Sequence, residues 1–178
     1  MKDLVRLKTS LSEDIERLLN EQIQMEAKSS AIYLSMASWC DRSGFQHAAE
    51  FFYRQSDEER GHMMRIFRYI NEAGGTAISP EIAGLPVDFD SFRSIFDQAL
   101  EQEIDVTQSI NQIVDQCHKH KDYTTSNFLR WFLEEQLEEE NTARRCLELF
   151  DIIGEEDHGQ YLIDKAIGKF NQKGEAEA

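Results

Sequence analysis

The chain has 178 residues, a length suited to one domain. Folding at this size hides roughly 70% of the unfolded chain's surface, so no disulfide framework is required. Lys and Arg number 19 against 34 Asp and Glu, a formal charge of −15; this excludes a phosphate-tracking nucleic-acid binder and favours attraction of cations. The opening stretch MKDLVRLKTSLSEDIER mixes charges into its first turns, so no secretory signal is expected. The stretch AIYLSMASWC is too short and too rich in hydroxyls to span a bilayer, so no membrane partner is expected either. Cys40, Cys117 and Cys146 form no C-x-x-C pair and read as small buried hydrophobes with reduced thiols. A cytoplasmic location fits these features.

In chain order, the first helix is predicted over residues 10–41. Steps of four and three pick out Ile15, Leu19, Gln22, Glu26, Ser29, Tyr33, Met36 and Cys40 as its inward stripe. Gly44 ends it, and a second helix over 46–73 carries Ala48, Phe52, Gln55, Glu59, His62, Ile66, Tyr69 and Ala73. The segment GGTAISPEIAGLP holds both prolines and three glycines, which marks a long connection. A third helix over 90–118 presents Phe92, Phe96, Ala99, Glu103, Val106, Ile110, Ile113 and Cys117. After HKHKD, a fourth over 123–152 presents Thr125, Leu129, Phe132, Gln136, Glu139, Ala143, Cys146 and Phe150. A short fifth over 159–170 has one apolar side, and 171–178 is a polar tail. That apolar side can dock on its own bundle or join subunits. No segment alternates with period two, so the expected fold is all-α: a four-helix bundle with a long crossover between the second and third helices.

Each stripe is apolar at its ends and polar at its middle, where Glu26, Glu59, His62, Glu103, Gln136 and Glu139 occupy core positions. An offset of 77 residues relates Glu26 to Glu103, Glu59 to Gln136 and His62 to Glu139. The two halves are therefore expected to superpose by a pseudo-twofold, with the polar layers meeting at one level. No Lys or Arg lies on any stripe. Buried carboxylates must be paired or coordinated, and two divalent cations balance four glutamates. Oxygen-rich ligation with one imidazole suits iron or manganese. Glu59 and His62 lie one helical turn apart, so both can face one ion. His47, His118, His120 and His158 fall off the stripes, and Gly61 inside the second helix reads equally as close packing or local give beside His62 and as a neutral substitution.

With these residues in place, the chain resembles the ferritin family, and within it the haem-free bacterial-type ferritins. The likeness rests on LNEQIQMEAKSSAIYLSMASWC, DEERGH, ALEQE and NFLRWFLEEQLEEE, and it extends over nearly the whole chain. The resemblance implies a ferritin-like bundle with a short C-terminal helix, ferroxidase activity, iron storage and a 24-subunit cage. It implies a first iron at Glu26, Glu59 and His62, with Glu59 bridging to a second at Glu103 and Glu139. Gln136 and Tyr33 stand beside the pair, and Glu58, Glu135 and Glu138 match a third, weaker iron site. Fe(II) and either dioxygen or hydrogen peroxide are the implied reactants, and no haem is expected. Haem-carrying bacterioferritins have a second Glu-x-x-His where this chain has Gln136 and Glu139, and a haem-ligating Met where it has Arg60. Rubrerythrin-like peroxidases add a C-x-x-C module, which is absent from this sequence. Animal cages line their threefold pores with acids where Ser126 and Leu129 stand, which leaves the entry pore open. A non-storage di-iron peroxidase or oxidase, and a metal-free helical interaction module, remain as alternatives at this point.

Overall fold

Helix starts and stops follow from capping chemistry in this computed structural model, which describes residues 8–156 and 158–170. Residues 1–7, Asp157 and the polar tail 171–178 lie outside the described residues. Helix α1, Glu13–Ser43, starts at 13 and not at 10 because Ser12 accepts the Ile15 N–H, with Glu13, Asp14 and Glu16 favourably placed in the first turn. Gly44, at φ 88°, ends it in a left-handed turn that a side chain would strain. Helix α2 is Gln46–Glu72. Helix α3, Phe92–His120, opens with a reciprocal box in which the Ser91 and Ser94 hydroxyls accept each other's backbone N–H. Helix α4, Tyr123–Ile153, is capped by Asp122 accepting from Thr125 N–H at 2.9 Å. Helix α5 is Gly159–Ile167. The described residues contain these five helices and no strand.

Short turns make α1 antiparallel to α2 and α3 antiparallel to α4, and α1 packed on α3 joins the two pairs. The crossover from Ala73 to Ser91 is strapped to α1 by side chains. Asn20 donates to Thr76 O at 3.1 Å and accepts from Ile78 N–H at 2.8 Å, Gln24 donates to Glu81 O, and Arg42 donates to Val87 O. Loop backbone groups thereby find the partners they require.

Every stripe residue expected for α1, α3 and α4 is buried, as is the α2 stripe from Ala48 to Ile66. Tyr69 and Ala73 are only half-buried, and Ile70 takes the inward position. A strict four-three stepping averages 3.5 residues per turn and drifts about 20° per heptad against a real helix, so the stripe slips by the third heptad. Tyr69 instead stacks on Phe128 with ring centroids 3.8 Å apart, and its hydroxyl meets Thr125 Oγ1.

The apolar core is in two parts. One cluster joins Tyr33, Met36, Phe51, Phe52, Phe92 and Phe96 with Phe150. The other joins Ile15, Leu19, Ile23, Ile66, Ile110 and Ile113 with Phe132. What separates them is the polar middle of the stripes. Helix α5 docks on its own bundle: Ile163 and Ile167 enter the first cluster, while Tyr161 and Leu162 stay exposed. Gly61 is exposed, and a Cβ there meets nothing within 4 Å, so no close packing explains it.

Candidate metal centre

Glu26 comes from the middle of α1, and Glu59 and His62 come from successive turns of α2. All three are buried, with 0%, 1% and 5% of their surface exposed. His62 Nδ1 lies 3.6 Å from Glu59 Oε2 and 3.9 Å from Glu26 Oε2. Two ligand atoms each about 2.1 Å from an ion stand roughly 3–4 Å apart, so these separations suit a shared cation. Among the described residues, this is the one trio of acid, thiol or imidazole side chains close enough to hold a single ion together. Glu26 Oε2, both Glu59 oxygens and His62 Nδ1 have no hydrogen-bond partner. Orphaned buried acceptors cost about 1–3 kcal/mol each, and charged ones more, a cost that either a shared cation or protonation of the carboxyls relieves.

The other half of the layer is hydrogen-bonded. Glu103 accepts from the Tyr33 hydroxyl on one oxygen and from Gln136 Nε2 on the other at 3.0 Å. Glu139 accepts from Gln55 Nε2 at 3.3 Å, and the same amide donates to Glu58. The carboxyls of Glu26, Glu59, Glu103 and Glu139 are all held above the usual range, in each case chiefly by burial. Neighbouring acids add to this: Glu59 for Glu26, Glu103 and Glu139 for Glu59, and Glu103 for Glu139. That mutual influence puts the four carboxyls in one electrostatic unit. The Tyr33 hydroxyl is likewise pushed up, by burial first and then by Glu103.

Glu58 and Glu138 are exposed and Glu135 is half-buried beside them, its carboxyl raised by burial and by Glu138 and Glu58. The His62 ring is walled by Trp131 and Phe132, both edge-on, and Arg65 covers Trp131 at 4.1 Å. The cysteines are all buried, and burial raises Cys40 and Cys146 to about 12 and Cys117 to about 11.

The structure thus gathers Glu26, Glu59 and His62 into one group that could hold a metal ion, and it joins Glu103 to Tyr33 and Gln136, and Glu139 to Gln55, by hydrogen bonds. Two further contributors escaped the sequence reading. Gln22 and Gln55 lie on the stripes, one turn before Glu26 and Glu59, and both donate to site carboxylates. Neither has a polar counterpart 77 residues on, where Ala99 and Phe132 stand, so the internal repeat did not draw attention to them.

Comparison with known proteins places this arrangement in a family. A model of the ferritin-like domain, Ferritin, matches residues 16–153. The chain is 37% identical over 163 residues to a probable bacterial non-heme ferritin-like protein of Haemophilus influenzae, covering 92% of this chain and 99% of that one. It is 37% identical over 157 residues to a bacterial non-heme ferritin of Campylobacter jejuni, covering 88% and 94%. Among solved structures, the open pore ferritin of Archaeoglobus fulgidus superposes with a TM-score of 0.86 at 34% identity, covering 90% of this chain and 98% of that one. A buried acid-and-imidazole layer across a four-helix bundle, matched along nearly its full length to such relatives, makes this chain a member of the ferritin family, of the haem-free bacterial type.

Proposed function

We propose that this chain, acting as one ferritin-like domain, oxidises Fe(II) to Fe(III) and stores the ferric product inside a hollow, 24-subunit cage of the cytoplasm. The observation that carries this reading is the group of buried, unpartnered ligand atoms at Glu26, Glu59 and His62. The ferritin relatives support it in general terms.

Iron is the substrate here. The first Fe(II) is held by Glu26, Glu59 and His62, whose atoms need no rearrangement of hydrogen bonds to receive it. The second goes to Glu103 and Glu139, with Glu59 between the two ions and Gln136 and Tyr33 alongside. To ligate, Glu103 must give up its bonds from Tyr33 and Gln136, which makes the second position the more conditional one. Each Fe(II) supplies one electron. Dioxygen takes two electrons and two protons and leaves as hydrogen peroxide; peroxide as oxidant takes two of each and leaves as water. Anionic carboxylates stabilise the trivalent product more than the divalent substrate, which favours oxidation. Glu58, Glu135 and Glu138 then offer the product a solvent-facing site on its way out. No haem enters this scheme.

Aerobic addition of Fe(II) to the purified protein, with particle size and iron per chain followed together, tests it. Storage requires a large hollow particle taking up iron far beyond three per chain. A low-mass species saturating at two irons removes storage and leaves a di-iron peroxidase or oxidase. Fast oxidation that survives Glu59→Ala removes the site.

A further inference from the structure

A relay of hydrogen bonds from α3 ends on one of the two Glu26 oxygens. Ser109 Oγ on α3 donates to Gln22 Oε1 at 2.5 Å, and Gln22 Nε2 on α1 donates to Glu26 Oε1 at 2.8 Å. Gln22 is wholly buried and Ser109 half-buried. The order of donors is forced. A metal-binding carboxylate only accepts, so the Gln22 NH2 must face it; the amide oxygen then faces Ser109, whose hydroxyl rotor turns to donate. One Glu26 oxygen is thereby occupied, and the other, Oε2, is left bare on the side of His62 and Glu59.

We propose that Gln22 and Ser109 are positioning residues that make Glu26 a one-oxygen ligand, aiming Oε2 at the first metal and setting the affinity of that position. This rests on the function proposed above and adds residues to it. Without the Ser109 proton, the Gln22 amide is free to invert and point its oxygen at Glu26, setting two acceptors against each other. Without the Gln22 amide, Glu26 can swing or chelate through both oxygens. Outer partners of this kind are worth about 10- to 100-fold in metal affinity. Glu103, at the second position, takes its donors from Tyr33 and Gln136 and lies outside the relay.

Co(II) alone, titrated anaerobically into the full chain and followed by its visible absorption, reads both affinity and ligand geometry. Gln22→Met keeps the side chain's length and apolar packing and removes the donor. It is expected to raise the dissociation constant of the first Co(II) about 10-fold or more, to shift its absorption band, and to change the second Co(II) less. Ser109→Ala is expected to move the same quantities the same way by less, and Ser109→Thr to restore them. Should Gln22→Met fold poorly, Ser109→Ala at its half-buried position still carries the test. Unchanged first-site affinity and spectrum in Ser109→Ala and Gln22→Met, with binding lost in Glu59→Ala, overturn the relay and leave the proposed function standing. Identical Co(II) binding by the unaltered chain and Glu59→Ala overturns both.

Discussion

Glu59 concentrates the conflict between stability and activity. Both its oxygens are buried, with Glu26 close enough to share a proton on one side and Glu103 and Glu139 on the other. Glu59→Gln keeps the shape and supplies a donor among acceptors. At a pH where Glu59 is ionised, the metal-free chain is expected to gain about 1–3 kcal/mol, at about 2–4 °C of Tm for each, while rapid Fe(II) oxidation is lost. Thermal melts after chelation and oxidation rates on the same samples check both halves. The pH dependence follows from the same residues. Glu26, Glu59, Glu103 and Glu139 hold their protons above the ordinary 4.5 in the folded chain. From that value upward to their raised folded values, the native state binds more protons than the unfolded state, so stability falls as pH rises through the window. Chelated protein is therefore expected to melt higher near about pH 5 than near about pH 8. Glu59→Gln should flatten the slope, and saturating divalent cation should oppose it by drawing the carboxyls into their ionised form. A slope identical in Glu59→Gln contradicts this assignment. The acids and His62 could be read from the stripes because charged residues at core phase are costly and few. The donors from other helices could not, since an amide on a stripe carries no mark of which acid across the bundle it will meet; Gln22, four residues before its acceptor Glu26, is the exception.

Among the helices, α5 joins the bundle through an unusual cap. Helix α2 begins at Gln46 with no side-chain cap from Phe45 and no acid in its first turn. Asp164 of α5, itself buried, accepts from Ala48 N–H at 2.9 Å and His47 N–H at 3.4 Å, so the acceptor missing locally arrives from more than a hundred residues away. Asp164→Ala is expected to cost about 1–2 kcal/mol, and Asp164→Asn less, because an amide oxygen also caps. Limited trypsin digestion at Lys165, with and without the change, reports whether α5 loosens; unchanged cleavage and unchanged Tm reject the cap. The apolar side of α5 was visible in its spacing, yet its partner was not. Ile163 and Ile167 enter the bundle because a core cluster ends there with room for them, and that room is a property of α1 to α4 together.

For the molecule as a whole, the charge of −15 acts beyond any one contact. A surface so acidic concentrates cations and speeds their arrival, an effect that salt screens within a Debye length of about 10 Å at 0.1 M. Initial Fe(II) oxidation at subsaturating iron is expected to slow several-fold between about 10 mM and about 500 mM NaCl, while the rate at saturating iron changes little; stopped-flow absorbance distinguishes the two. Equal slowing at both iron levels points to the chemistry and not to capture. Charge, helix phase, the long crossover and the acid layer were all readable along the chain, because composition and 3.6-residue periodicity are local properties. The 77-residue offset pairs α1 with α3 and α2 with α4, so it led to the expectation of one polar layer shared by all four helices without fixing which of its acids meet. Which atoms stay bare and which are already bonded was decided only when the helices packed. The 77-residue correspondence breaks at Gln136 and Glu139, and Tyr33, Gln55 and Gln136 reach carboxyls on other helices; bonds of that kind depend on distances between separate helices, which no spacing along the chain encodes.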